Sequence, residues 1–82
     1  MTVTVAITGA SAGIGRAAAR LLAQRGDRVG LIARGKAGLE GAARDVQRAG
    51  GQALAVPADV ADFAQADAAT QQIEDAFGPI DI

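Results

Sequence analysis

The feature that most restricts the fold is a change of apolar period across one glycine-rich octet, Thr8-Gly9-Ala10-Ser11-Ala12-Gly13-Ile14-Gly15. Before it, Val3, Val5 and Ile7 alternate, as in a strand with one apolar face. After it, Ile14, Ala17, Ala18, Leu21 and Leu22 recur at helical intervals until Gly26, which is placed as a C′ glycine. The spacing therefore predicts a strand that turns sharply at Gly9 and passes directly into a crossover helix.

The alternation then repeats. Val29, Leu31 and Ile32 make a second apolar strand ended by Ala33 and Arg34, and Leu39, Ala42, Ala43, Val46 and Ala49 a second helix closed by Gly50 and Gly51. A third strand, Ala53 to Val56, precedes Pro57. Asp62 followed by Gln65 has the spacing of a capping box, opening a helix with Phe63, Ala66, Thr70, Ile73 and Phe77 on one stripe and Gly78-Pro79 at its end. Ile80 to Ile82 begins a fourth apolar strand. Short strands joined by crossover helices predict an α/β fold with a parallel, Rossmann-type sheet of order 3-2-1-4. Two helices would cover one face, and the third would lie alone on the other. There is no repeat, linker or second domain in the pattern.

Composition removes several chemistries at once. The 82 residues contain no Cys, His, Trp or Tyr, and Ser11 is the only serine. A zinc site of the His/Cys kind and a disulfide framework are excluded, as is any Cys nucleophile, His base or Tyr acid supplied by these residues. Gly9-Ala10-Ser11-Ala12-Gly13 also satisfies the G-x-S-x-G of hydrolase nucleophile elbows. That reading fails, because no His can activate Ser11 and no earlier loop precedes the first strand to build an oxyanion hole.

Charge is uneven. All eight bases fall between Arg16 and Arg48 against three acids, a balance of plus five, while residues 51–82 hold six acids and no base. The bases are spread singly and only two residues are aromatic, so no nucleic-acid partner is expected. No apolar run approaches the ~18 residues of a membrane span, and the apolar start is short and lacks a basic flank. The expectation is a soluble, cytoplasmic protein with a thin, alanine-rich core.

The glycine octet suits a phosphate group. A helix N-terminus has unpaired backbone N–H groups and roughly half a positive charge, which a pyrophosphate can use if side chains do not block its approach. Gly9 permits the turn, Gly13 removes a Cβ from the phosphate path, and Gly15 lets the helix pack close to the strand. Ser11 adds a hydroxyl, and the N–H groups near Ile14 are candidate donors. The spacing is G-x-x-x-G-x-G and not the common G-x-G-x-x-G.

In this loop the chain resembles the short-chain dehydrogenase/reductases, whose cofactor loop reads T-G-x-x-x-G-x-G. Ala33-Arg34 with Leu39, the pair Asp59-Val60 after the third strand, and Gly78-Pro79-Ile80-Asp81-Ile82 before the fourth are similar to further landmarks of that family, in the same order. The resemblance places Gly9, Ser11, Gly13, Ile14 and Gly15 at the cofactor phosphates, with Thr8 shaping the loop. It places Arg34 at the adenosine ribose and Asp59 with Val60 at the adenine. The plainer readings are a solvated loop charge for Arg34 and a turn former for Asp59. Arg16 reads as a helix-surface charge.

An acid at the end of the second strand would favour NAD, by accepting from the ribose 2′-OH. Ala33 offers none, whereas Arg34 and Lys36 can pair with a 2′-phosphate, which points to NADP over NAD. Ala12 stands where some NADP-preferring relatives have a base.

Relatives continue into an Asn-Asn-Ala-Gly turn, a catalytic Asn and Ser, and a Tyr-x-x-x-Lys pair, none of which occurs here. The resemblance therefore implies that residues 1–82 form the N-terminal part of a single NAD(P)-binding Rossmann domain, cut within its fourth strand. No catalytic residue is assigned, and a homo-oligomer is expected. In the parent protein the implied reaction is hydride transfer between nicotinamide and a small-molecule carbonyl or secondary alcohol. The competing readings are a complete miniature nucleotide-binding domain and a non-catalytic dinucleotide-binding module or sensor.

Overall fold

The computed structural model describes residues 2–10 and 13–81, which form three strands and three helices in strict alternation. The elements are β1 (Thr4–Thr8), α1 (Gly13–Gln24), β2 (Arg28–Ala33), α2 (Lys36–Arg48), β3 (Gln52–Pro57) and α3 (Phe63–Phe77). The strands are parallel in the order β1-β2-β3, with Val5 opposite Val29 and Val29 opposite Ala53. Parallel pairing follows from the helix between each pair of strands, which returns the chain to the same end of the sheet.

The fourth position in the sheet is marked by two hydrogen bonds between Asp81 and the Thr4 backbone. The Asp81 N–H donates to the Thr4 carbonyl oxygen at 2.8 Å, and the Thr4 N–H donates to Asp81 Oδ2 at 2.9 Å. Those Thr4 groups point away from β2, so the lead-in to the fourth strand lies on the free side of β1 and the order 3-2-1-4 is present in outline.

Strand alternation sorts the core into two layers. Val29, Leu31 and Ala33 pack with Leu39, Ala42 and Val46 of α2 and with Ala19 and Ala23 of α1. Ile32 and Val56 face the other way, onto Ala69 and Ile73 of α3. As expected, two helices share one face and α3 stands alone on the other. Fully buried Leu31, Leu39, Ile73, Val29 and Val46 each contribute about 1.5–3 kcal/mol by burial. Seven of the fifteen buried hydrophobic residues described are alanines, so this core is as thin as the composition implied.

Two glycines let the layers approach. A Cβ built on Gly30 would sit 2.6 Å from Ile73 Cγ1, so α3 rests its one large buried side chain on a bare spot of β2. At Gly51 a Cβ would meet Ala23 at 2.9 Å, which brings the end of α1 against the start of β3.

Four expectations need correction. The buried face of α1 carries Ala19 and Ala23, not Ile14, Ala17 and Leu21; Ile14 is 89% exposed and Leu21 64%. Arg16 and Arg20 face α2 through Asp45, and at 100° per residue the side turned to the sheet is the small one, Gly15, Ala19 and Ala23. Close approach selects small residues there, and the larger apolar side chains fall on the flank away from α2. On α3 the buried pair is Ala69 and Ile73; Ala66 and Phe77 are half-buried, while Thr70 and Phe63 lie in solvent, Phe63 at 85%. The capping box is only half made. Asp62 Oδ1 accepts from the Ala64 and Gln65 N–H groups at 3.0 and 3.3 Å, but Gln65 Oε1 accepts from the Asp59 N–H and not from that of Asp62. The Asp62 N–H is engaged instead by the Asp59 carbonyl at 3.0 Å. β3 also runs one residue further at each end than expected. Pro57 is tolerated because β3 is an edge strand, where a missing N–H leaves no ladder partner unpaired.

Candidate functional site

Every loop that follows a strand emerges at the same end of a parallel sheet, so the ends of β1, β2 and β3 meet there. Thr8, the last residue of β1, is exposed, and the chain turns at Gly9 with φ 65°, the left-handed region that a Cβ disfavours. Ala10 then goes fully inward, its N–H reaching the Ile32 carbonyl oxygen at 3.4 Å. Ser11 and Ala12 lie outside the described residues. Gly13 opens α1 with φ 61°, and a Cβ on either Gly9 or Gly13 would meet no heavy atom within 4 Å. Their side-chain directions face open space, as a loop that receives a ligand requires. Gly15 differs: a Cβ there would fall 2.6 Å from the Gly9 carbonyl oxygen and 3.3 Å from Ala10 Cα. It packs the first turn of α1 against the turn at Gly9, and its hydrogen is structural.

The first turn of α1 contains no acid, so nothing there opposes an anion at the helix N-terminus. Ile14, on that turn, projects into solvent. Arg16 does not offer its charge to the loop. Its Nε donates to Asp45 Oδ2 at 2.7 Å, and its guanidinium lies over Gly41, where a Cβ would come within 3.2 Å of it. That hydrogen bond, helped by the charge of Arg16 and opposed by partial desolvation, holds the Asp45 carboxyl below its ordinary range. Arg20 adds a looser contact to the same oxygen at 3.9 Å. Arg16, read from the sequence as a helix-surface charge, is half-buried and ties α1 to α2.

Beside the glycine turn is a cleft of about 310 Å³ whose wall includes Gly9, Ile32, Ala33, Arg34, Gly35, Ala58, Asp59 and Val60. Four residues singled out from sequence, Gly9, Arg34, Asp59 and Val60, thus come together from three separate loops. Arg34, just past β2, is exposed and free to reach a ligand. Asp59 is half-buried, and its Oδ1 accepts from the Ala61 N–H at 3.0 Å, so it does form the turn that the plainer reading assigned to it. Being at the wall and making the turn are compatible. A second hollow of about 290 Å³ adjoins the first and shares Arg34, Ala58 and Asp59 with it, adding Pro57 and Gln65.

Sequence reasoning missed Ala58 and Gln65 as wall residues. Ala58 carries no chemical signal; its N–H simply extends the ladder to the Ala33 carbonyl at 2.9 Å. Gln65 was visible by its spacing to Asp62 and was given the wrong partner.

A parallel sheet wound in this sense, with a glycine turn at a helix N-terminus and a cleft across the strand ends, defines a Rossmann-type α/β protein. The comparisons narrow the class to a family: the chain belongs to the short chain dehydrogenases, whose family pattern matches residues 3–82. It is 43% identical over 79 residues to the ketoacyl reductase HetN of Nostoc sp., covering 96% of this chain and 28% of that protein. It is 42% identical over 83 residues to an L-rhamnose 1-dehydrogenase (NAD(P)(+)) of Azotobacter vinelandii, covering 96% of this chain and 32% of that one. Among solved structures, L-sorbose reductase of Gluconobacter frateurii complexed with NADPH and L-sorbose superposes with a TM-score of 0.90 at 36% identity, over 98% of this chain and 31% of that one. The chain spans less than a third of the length of each of these proteins.

Proposed function

We propose that this chain is the cofactor-binding part of an NADP-dependent oxidoreductase, which transfers hydride between a nicotinamide and a small carbonyl compound or secondary alcohol. The observation that carries the reading is the cleft in which Gly9, Arg34, Asp59 and Val60 meet beside an acid-free helix N-terminus. On this reading Thr8, Gly9, Gly13, Ile14 and Gly15 lie around the pyrophosphate, with Ser11 assigned there by its place in the sequence; Arg34 faces the adenosine ribose, and Asp59 and Val60 flank the adenine. The outward-facing Cβ directions of Gly9 and Gly13 leave the room this needs. When bound, the cofactor supplies the hydride; the residues described here hold and orient it.

The choice of NADP rests on Arg34. Ala33 precedes it where an acid would repel a 2′-phosphate, and an exposed guanidinium at the strand end can pair with that phosphate through two parallel hydrogen bonds. The NADPH held by the similar L-sorbose reductase is consistent with this. The test is a titration of NADPH and NADH against the protein and its Arg34→Ala variant. Loss of a charge-assisted pair should weaken NADPH about tenfold or more and leave NADH nearly unchanged. Equal NADPH affinity in both proteins would sink the assignment.

A further inference from the structure

The wall that Asp59 contributes to the cleft belongs to neither a helix nor a strand, so something other than a ladder must hold it. Hydrogen bonds at several points fix the segment 58–62. Its start is tied to β2 by the Ala58 N–H, and its turn is closed on itself by the Asp62 N–H on the Asp59 carbonyl and the Ala61 N–H on Asp59 Oδ1. The remaining link comes from α3: Gln65 Oε1 accepts from the Asp59 N–H at 2.8 Å, while Gln65 Nε2 donates to Asp62 Oδ2 at 3.4 Å. Asp59 is also one of three residues, with Arg34 and Ala58, shared by the two hollows, while Gln65 lies on the wall of only one of them. Gln65 therefore stands behind the wall and holds it at Asp59.

From this arrangement we propose that Gln65 is a positioning residue for the adenosine end of the cofactor, acting through the Asp59 peptide. The proposal rests on the cofactor reading above. Without the Gln65 acceptor, the Asp59 N–H turns to water and the wall loses its link to the first turn of α3. The helix itself stays capped, since Asp62 Oδ1 takes the backbone N–H groups of Ala64 and Gln65 whatever side chain stands at position 65. The bond is exposed, so its loss costs the fold little while it loosens the wall. That separation makes the role measurable.

The experiment compares Gln65→Met, which keeps length but lacks the acceptor, with Gln65→Glu, which keeps an oxygen for the Asp59 N–H, by titrating the purified protein with NADH and NADPH. Gln65→Met should bind both about fivefold more weakly, at an unchanged ratio between them and unchanged stoichiometry, because adenine is common to both. Gln65→Glu should restore the NADH affinity; NADH is the proper readout there, as it has no 2′-phosphate for the new carboxylate to repel. Arg34→Ala, run alongside, should change the NADPH to NADH ratio instead. Wild-type affinity in Gln65→Met, a loss in Gln65→Glu with NADH as large as in Gln65→Met, or a Gln65→Met loss confined to NADPH would each overturn the role of Gln65. A wild-type protein that is folded and monodisperse yet binds neither dinucleotide would overturn the cofactor reading, and this inference with it.

Discussion

At the scale of single residues, the three glycines of the loop between β1 and α1 are glycine for two different reasons. Gly9 and Gly13 need their positive φ and have empty space in the Cβ direction, whereas Gly15 has an ordinary backbone and no space at all. Substitution should separate these reasons. Gly13→Ala places an L residue in the left-handed region and should cost about 1–2 kcal/mol of stability. Gly15→Ala must push a Cβ against the Gly9 carbonyl, and the turn has to move; about 1–3 kcal/mol is expected for such overpacking, with weaker dinucleotide binding because the displaced atoms are the turn itself. Urea unfolding checks the first pair of numbers and cofactor titration the second. A Gly15→Ala protein with wild-type affinity would show that the turn tolerates displacement. The glycines were legible in the sequence because their spacing relative to a strand and a helix is itself the signal. Gln65 was legible only as a helix cap, since no spacing rule tells which of two nearby N–H groups a flexible amide selects.

At the scale of elements, α1 explains both what the pattern revealed and what it concealed. The existence and order of the strands and helices followed from the switch between periods 2 and 3.6. The buried face of α1 did not, because hydrophobicity scales favour Ile14 and Leu21, while packing against a sheet through Gly15, Ala19 and Ala23 favours smallness. The link to α2 accompanies that orientation. Arg16 and Arg20 converge on Asp45, so the flank bearing them is held toward α2. The link has a pH signature. The Arg16 hydrogen bond lowers the Asp45 pKa in the folded state from an ordinary 3.8, so the unfolded chain binds the proton more readily. The stabilisation is accordingly complete above that value and disappears as pH falls through the folded pKa. Asp45→Asn should remove part of the acid-side fall in thermal midpoint, seen as a shallower slope below about pH 4 than in the wild type, with only a small change at neutral pH for so accessible a pair. Parallel slopes in the two proteins would mean that the pair does not form in solution.

At the scale of the whole molecule, the apolar flank displaced from the sheet becomes the important surface. Ile14 and Leu21 are exposed on the side of α1 turned away from the two arginines, and Asp81 hydrogen-bonds the free side of β1. On the opposite face of the sheet α3 is alone, and Phe63 stands almost wholly in water. The free edge of β1 has its Thr4 groups occupied by Asp81, and among the described residues no further strand pairs with it. An open strand edge flanked by large exposed apolar side chains favours self-association. The 82-residue chain produced alone should therefore sediment as an associating species or melt without cooperativity. Leu21→Lys should shift it toward monomer, because that side chain contributes to the apolar flank without touching the core or the cleft. Sedimentation velocity across a concentration series, with thermal melting followed by circular dichroism, reads both. A monodisperse, cooperatively melting wild-type monomer would show instead that a sheet of three strands, with a core nearly half alanine, is sufficient on its own.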